Sequence, residues 1–285
     1  MKLVSYRVGG QASFGAVSDE TAGTIIDFGR LFEGRFSDLT AFLAAGAVSD
    51  AAGLIAGRNA DFRLADVQLL PVIPAPGKIW CCGLNYHEHA EECGATPPQK
   101  PTFFLRTADS QVAHGEPIAR PRESVQLDFE AEVAVVIGKA GRRIAAEDAH
   151  AYVAGYACYN DASVRDWQLQ TTQWDAGKNF WRTGAFGPWL VTADEIAFGT
   201  PMTLVATLNG IEVQRSSTHM MVHGIAAQIA YLSTIAPLVP GDVIVTGTPG
   251  GIGAMRKPPM WMKAADVITV SVDRIGTLSN PVADD

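Results

Sequence analysis

The sequence has no uninterrupted apolar run near the roughly 20 residues that a membrane helix needs. Its start, MKLVSYRVGG, reaches Gly9 without the apolar core of a signal peptide. A soluble, cytoplasmic protein with no membrane partner is therefore the expectation. Cysteines are few: Cys81, Cys82, Cys93 and Cys158, two of them adjacent and none in a C-x-x-C pair. Neither a disulfide framework nor a zinc site is indicated, and the four are expected to be reduced and mostly buried. Basic clusters are also missing. With 22 basic against 30 acidic residues and a net charge of −8, nucleic acid is excluded as the expected partner. No internal repeat and no low-complexity segment stands out.

What is present is a chain of 285 residues with 47% hydrophobic content, enough for one large core and a small satellite unit. Short β-branched runs separated by Gly and Pro dominate its later part: KIWCCGLNY, PTFFLR, EAEVAVVIGK, AYVAGYACYND, MTLVATLNG and DVIVTGTPGG. Too few helices intervene for regular βαβ units, so the pattern predicts an α+β fold with mixed β-sheets. Helices are predicted near Asp38–Ala45 and over Val222–Ala236, the second ended by Pro237. Pro71, Pro74 and Pro76 of LLPVIPAPGK make a stiff connector. This places a boundary between a small N-terminal α/β domain, residues 1–70, and a larger domain, residues 71–285.

In VQLDFEAEVAVVIGK, Asp128, Glu130 and Glu132 stand at every second position and lead into an apolar segment. On a strand, alternate residues share a face, so these carboxylates would repel one another and suffer desolvation as the core begins. Two readings follow. Either the strand only begins at the surface with its acids solvated, or a divalent cation neutralises them. A second acidic element, YNDASVRDWQ, follows an apolar run and puts Asp161 at a strand end, with Arg165 and Gln168 four and seven residues later. Oxygen-only ligation suits a hard cation, Mg²⁺ first and Mn²⁺ next.

A third segment, GLNYHEHAEECG, sets His89 and Glu92 three apart, where on a short helix a carboxylate can orient an imidazole as general base. A surface helix with solvated charges is the competing reading. His219 and His223 are predicted to share a helical face, but no carboxylate motif lies nearby to complete a metal site.

Taken together, GLNYHEHAEE, DFEAEVAVVIGK, YNDASVRDWQ, GKNF, GPWLVT, LNGIEVQ and GDVIVTGTPGGIG resemble the fumarylacetoacetate hydrolase family, in family order from about Pro76 to the C-terminus. The resemblance implies a mixed β-roll, usually dimeric, so a homodimer is expected. It implies that Glu130, Glu132 and Asp161 bind Mg²⁺ or Mn²⁺, that His89 and Glu92 form a water-activating dyad, and that Lys178 stabilises negative charge beside the metal. Arg106, Arg165, Gln168 and Thr248 match positions that bind substrate, Arg106 standing where many relatives have Lys. Asp128 matches no ligand position and is expected to be structural.

The activity implied is hydrolysis of a carbon–carbon bond in a β-diketo acid of the acylpyruvate kind, giving a 2-oxo acid such as pyruvate and a carboxylic acid. Decarboxylation of an oxaloacetate-like acid, or keto–enol isomerisation, is the alternative on the same scaffold. A non-catalytic, metal-stabilised protein is the remaining reading. Such a protein would be expected to lose the dyad or the lysine, and this chain retains His89, Glu92 and Lys178.

Overall fold

Ala131–Ile137, sequence AEVAVVI, is buried along its whole length and organises the computed structural model, which describes residues 1–285. An unbroken apolar run of this kind marks a strand covered on both faces. Val133, Val135 and Ile137 point into one core with Leu204, Ala206, Ile268 and Val270. Ala134 and Val136 point into the opposite core with Leu3, Leu39 and Phe42. Along its edges the strand pairs antiparallel with Val153–Asp161 and with Val243–Val245.

Val243–Val245 runs parallel to Ile79–Gly83, which pairs antiparallel with Thr102–Arg106. These strands belong to a mixed sheet of 12 strands, against which a second sheet of 5 strands packs, built around Thr203–Leu208 and Val267–Val272. The chain is thus an α+β protein of large mixed sheets with few helices, as the strand pattern predicts. No helix is long and apolar enough to cross a membrane.

The N-terminal strands Lys2–Val8, Gln11–Asp19 and Thr24–Asp27 form an antiparallel meander that continues the large sheet. Lys2 and Leu3 pair with Val191 and Leu190 of Gly184–Thr192. Helix Leu39–Ala44, capped by the Asp38 carboxylate on the Ala41 N–H, covers this region with aromatic rings. Phe42 packs against Phe14, Phe28, Phe32 and Phe36 at centroid separations of 5.1 to 5.8 Å. The proposed boundary after residue 70 falls in an irregular stretch, residues 70–78. The small unit before it is docked by backbone pairing as well as by side chains.

The helix predicted from Val222 starts later, at Ile225, with Gly224 at its N-cap. Asn85 holds the residues before it: its carbonyl accepts from Val222 N and its side-chain oxygen from His223 N, both at 2.8 Å. His219 lies in a separate 3₁₀ turn, Thr218–Met220, so the predicted shared helical face of His219 and His223 does not form.

Phe42→Ala should lower stability by about 3–5 kcal/mol, because it leaves a hole among four rings that cannot close without moving a sheet. Urea unfolding measures this; a loss below about 1 kcal/mol would contradict the packing described.

Candidate active site

The acidic segment does not form one strand. Leu127–Asp128 pairs with Ser163–Val164 in a small ladder of its own, and the long strand begins only at Ala131. Between them the chain turns at Phe129 and Glu130, where Asn160 Oδ1 accepts from Glu130 N and Asp161 N donates back to the Glu130 carbonyl. The three carboxylates expected on one face are therefore divided. Glu130 and Glu132 converge with Asp161, all three buried, with potential ligand oxygens within 4.8 Å of one another. Asp128 turns away and is saturated: Oδ1 accepts from Phe129 N and Gly253 N, and Oδ2 from Ala254 N and Arg165 Nε, at 2.7 to 2.9 Å.

Three buried cations face these four buried carboxylates. Lys178 Nζ lies 2.7 Å from Glu130 Oε2 and 2.8 Å from Asp161 Oδ2. Arg165 reaches Asp128 through Nε and the Gln168 side-chain oxygen through Nη1, at 2.9 and 2.8 Å. Its Nη2 stands 2.7 Å from Glu130 Oε1 as an ionic contact without hydrogen-bond alignment. Arg106 pairs with Asp161 and also donates to the Ala162 carbonyl, Ser110 Oγ and Thr183 Oγ1. Expected to line the substrate site, Arg106 instead stands behind Asp161, 3% exposed, with its guanidinium committed to protein acceptors.

The balance of charge is uneven. Burial alone would raise the pKa of Glu130, but Lys178 and Arg165, and then His89, outweigh it and hold the carboxyl at about 2. Glu132 is pushed the other way, well above the usual carboxylate range, by burial first and then by repulsion from Asp161 and Glu130. The hydrogen bond it accepts from Gly247 N does not offset these effects. A partly repelled, oxygen-only cluster with one uncompensated carboxylate fits a hard divalent cation held by Glu130, Glu132 and Asp161.

Beside this cluster, the short helix His87–Glu92 brings the predicted dyad together. His89 Nδ1 donates to Glu92 Oε1 at 2.8 Å, and Glu92 Oε2 accepts from Gly251 N at 2.8 Å. Burial pulls the His89 pKa down, but Cys93 and Glu92 at its ring nitrogen and the charge of Glu130 raise it to about 9. With Nδ1 committed, Nε2 is the nitrogen available for chemistry: it carries the imidazolium proton below about pH 9 and is a base once that proton has left.

In GTPGGIG the sequence points only to Thr248, whereas the loop's backbone also serves the site. Gly247, Gly251 and Gly253 donate their N–H groups to Glu132, Glu92 and Asp128 respectively. A Cβ on Gly253 would lie 1.9 Å from the Met260 carbonyl oxygen, and Gly251 has φ +99°; side chains are unwelcome at both. Arg256 clamps the loop by donating Nε and Nη2 to the Gly251 carbonyl at 3.2 and 3.1 Å. The clustered glycines after a strand were the available signal.

His89, Glu130, Glu132, Arg165, Gln168, Lys178 and Thr248 all line one cavity of about 370 Å³. Thr248 Oγ1 accepts from Gln214 Nε2 at 2.9 Å, which leaves its hydroxyl proton to donate. Glu92, Asp161 and Arg106 stand behind the wall and hold its groups.

Because Glu130 titrates near 2 when folded, against an ordinary 4.5, it contributes stability that is present above about pH 4.5 and lost as pH falls toward 2. Glu132, shifted upward, has the opposite sign. In chelator-treated protein, Glu130→Gln should therefore flatten the acid limb of urea-midpoint against pH in that window; an unchanged slope would contradict the ion pairs described.

Residues 78–283 match the family described as fumarylacetoacetate (FAA) hydrolase, C-terminal. The mitochondrial oxaloacetate tautomerase fahd2 of Xenopus laevis is 43% identical over 220 residues, covering 76% of this chain and 69% of that protein. Among solved structures, a fumarylacetoacetate hydrolase from psychrophilic Exiguobacterium antarcticum superposes with a TM-score of 0.81 at 31% identity, over 100% of both chains. Maleylpyruvate hydrolase from Sphingobium sp. SYK-6, in complex with manganese(II) and pyruvate, gives a TM-score of 0.82 at 26% identity, over 100% of this chain and 99% of that one. With its fold, its ordered motifs and the match over residues 78–283, the chain belongs to the fumarylacetoacetate hydrolase family.

Proposed function

We propose that the protein is a divalent-cation-dependent enzyme that moves a proton at C3 of a 2-oxo acid, interconverting its keto and enol forms with His89 as the base. The observation that carries this reading is the His89–Glu92 pair on the wall of the cavity that also holds Glu130 and Glu132. The activity named for the Xenopus relative supports placing proton transfer ahead of hydrolysis, which reverses the order expected from sequence. Mg²⁺ or Mn²⁺, held by Glu130, Glu132 and Asp161, would supply Lewis-acid polarisation of the 2-oxo group and so acidify the C3 protons.

The chain's own residues account for the rest. Gln168 accepts from Arg165 through its side-chain oxygen, which leaves its amide N–H groups, with the Thr248 hydroxyl, as neutral donors to orient the acid. His89 Nε2 takes a proton from C3 as Glu92 accepts from Nδ1 and stabilises the imidazolium, and Gly251 N–H keeps Glu92 in line. The enolate oxygen then takes a proton from solvent to give the enol, and the imidazolium returns its own proton to solvent. In the reverse direction the enol oxygen loses its proton to solvent, the imidazolium protonates C3 and His89 is left neutral. Lys178 and Arg106 hold the Asp161 carboxylate in place.

Hydrolysis of an acylpyruvate is the second reading, favoured by the likeness to maleylpyruvate hydrolase. Here His89 would take its proton from water, which attacks the carbonyl farther from the carboxylate. The carbon–carbon bond then breaks and His89 returns the proton to the leaving carbon. A homodimer, as the resemblance implies, belongs to the proposal under either reading.

Ketonisation of enol oxaloacetate and enol phenylpyruvate, followed by absorbance, should be run beside pyruvate release from acylpyruvates. Cation-dependent ketonisation is expected, with Glu92→Gln slowing kcat by about 10²-fold or more while cation affinity is retained. An unchanged kcat in that variant would remove the dyad from the mechanism. Pyruvate release at the higher kcat/KM would put hydrolysis first.

A further inference from the structure

The cavity sorts its lining by polarity, and its cations all stand at the carboxylate cluster. The permanent cations on its wall are Arg165 and Lys178. Arg165 serves Asp128, Gln168 and Glu130, and Lys178 serves Glu130 and Asp161. Arg106 is sealed behind Asp161. No further guanidinium or ammonium lines the cavity to meet a charge at the end of a ligand away from the carboxylates.

The far end of the cavity offers no ion partner of its own. A second carboxylate would stay uncompensated in a low-dielectric site, where an unpaired charge is most costly.

The remainder of the wall is apolar. Leu84, Phe104, Leu169, Trp174, Ile252 and Met255 line it. Phe104 and Trp174 meet edge to face at 5.8 Å. Gly83 makes room for the indole, since a Cβ there would come within 2.2 Å of Trp174 Cζ3. At the rim, Leu169 and Met255 are 67% and 40% exposed. Large apolar side chains held open to solvent beside a cavity are what an apolar ligand group covers.

We infer that the substrate carries a single carboxylate, on its 2-oxo acid end, and an uncharged, apolar substituent at the other. This rests on the reading of the site as one for 2-oxo acids and holds for proton transfer and hydrolysis alike. It sets this chain's preference apart from dicarboxylic acids such as oxaloacetate.

The test uses unreactive oxamates with the Mg²⁺-loaded protein, read by titration calorimetry. N-isobutyl oxamate presents an apolar tail, and N-carboxymethyl oxamate presents a carboxylate of similar reach. The isobutyl compound should bind at least tenfold more tightly. Equal affinity, or a preference for the carboxymethyl compound, overturns the inference. If neither binds while the cation does, the 2-oxo acid reading itself fails, which is a different result. In Leu169→Arg, a cation placed at the rim should shift the ratio of affinities at least tenfold toward the carboxymethyl compound; an unshifted ratio also counts against the inference.

Discussion

Asp128, Glu130, Glu132 and Asp161 are buried together, each at most 4% exposed, and most of what surrounds them exists to make that tolerable. Carboxylates removed from water persist as anions only when cations and oriented N–H groups replace the solvent. Arg165 joins Asp128 to Glu130, and Lys178 joins Glu130 to Asp161. Arg106 closes the far side of Asp161. Glu132 receives the least compensation. The cluster is therefore a folded scaffold whose least compensated carboxylate lies on the cavity wall.

The same demand explains the glycine loop. A strand buried on both faces, Val243–Val245, delivers Gly247, Gly251 and Gly253 to the carboxylates of Glu132, Glu92 and Asp128. One backbone segment thus orients a cluster carboxylate, the partner of the base, and the anchor of Arg165. Displacement of the loop would disturb all three, so its clamp by Arg256 matters beyond local packing. The base and the cluster share a frame, and their separation is fixed by main chain more than by flexible side chains.

Much of this was legible in the sequence where the relevant spacing is local. His89 and Glu92 meet because three residues on a helix bring side chains together. Glu132 and Asp161 could be placed near each other because each marks the end of an apolar run, and the two runs pair with Ala131 opposite Asn160. Non-local features were not legible. Asp128 looks like a third member of an alternating face, yet amides more than 120 residues away, Gly253 and Ala254, turn it aside. Arg106 reads as a substrate-facing charge because nothing near it in sequence announces Asp161 and Thr183 as its partners. The pairing of Lys2 and Leu3 with Val191 and Leu190 is equally invisible to periodicity.

Everything proposed for this cavity requires that Glu130, Glu132 and Asp161 make one divalent-cation site. Direct binding of Mn²⁺, followed by the loss of its free paramagnetic resonance signal, tests this without any substrate. One ion per chain is predicted, with affinity lost in Glu132→Gln and retained when Glu88, outside the cluster, is changed to Gln. Undiminished binding in Glu132→Gln would contradict the central claim.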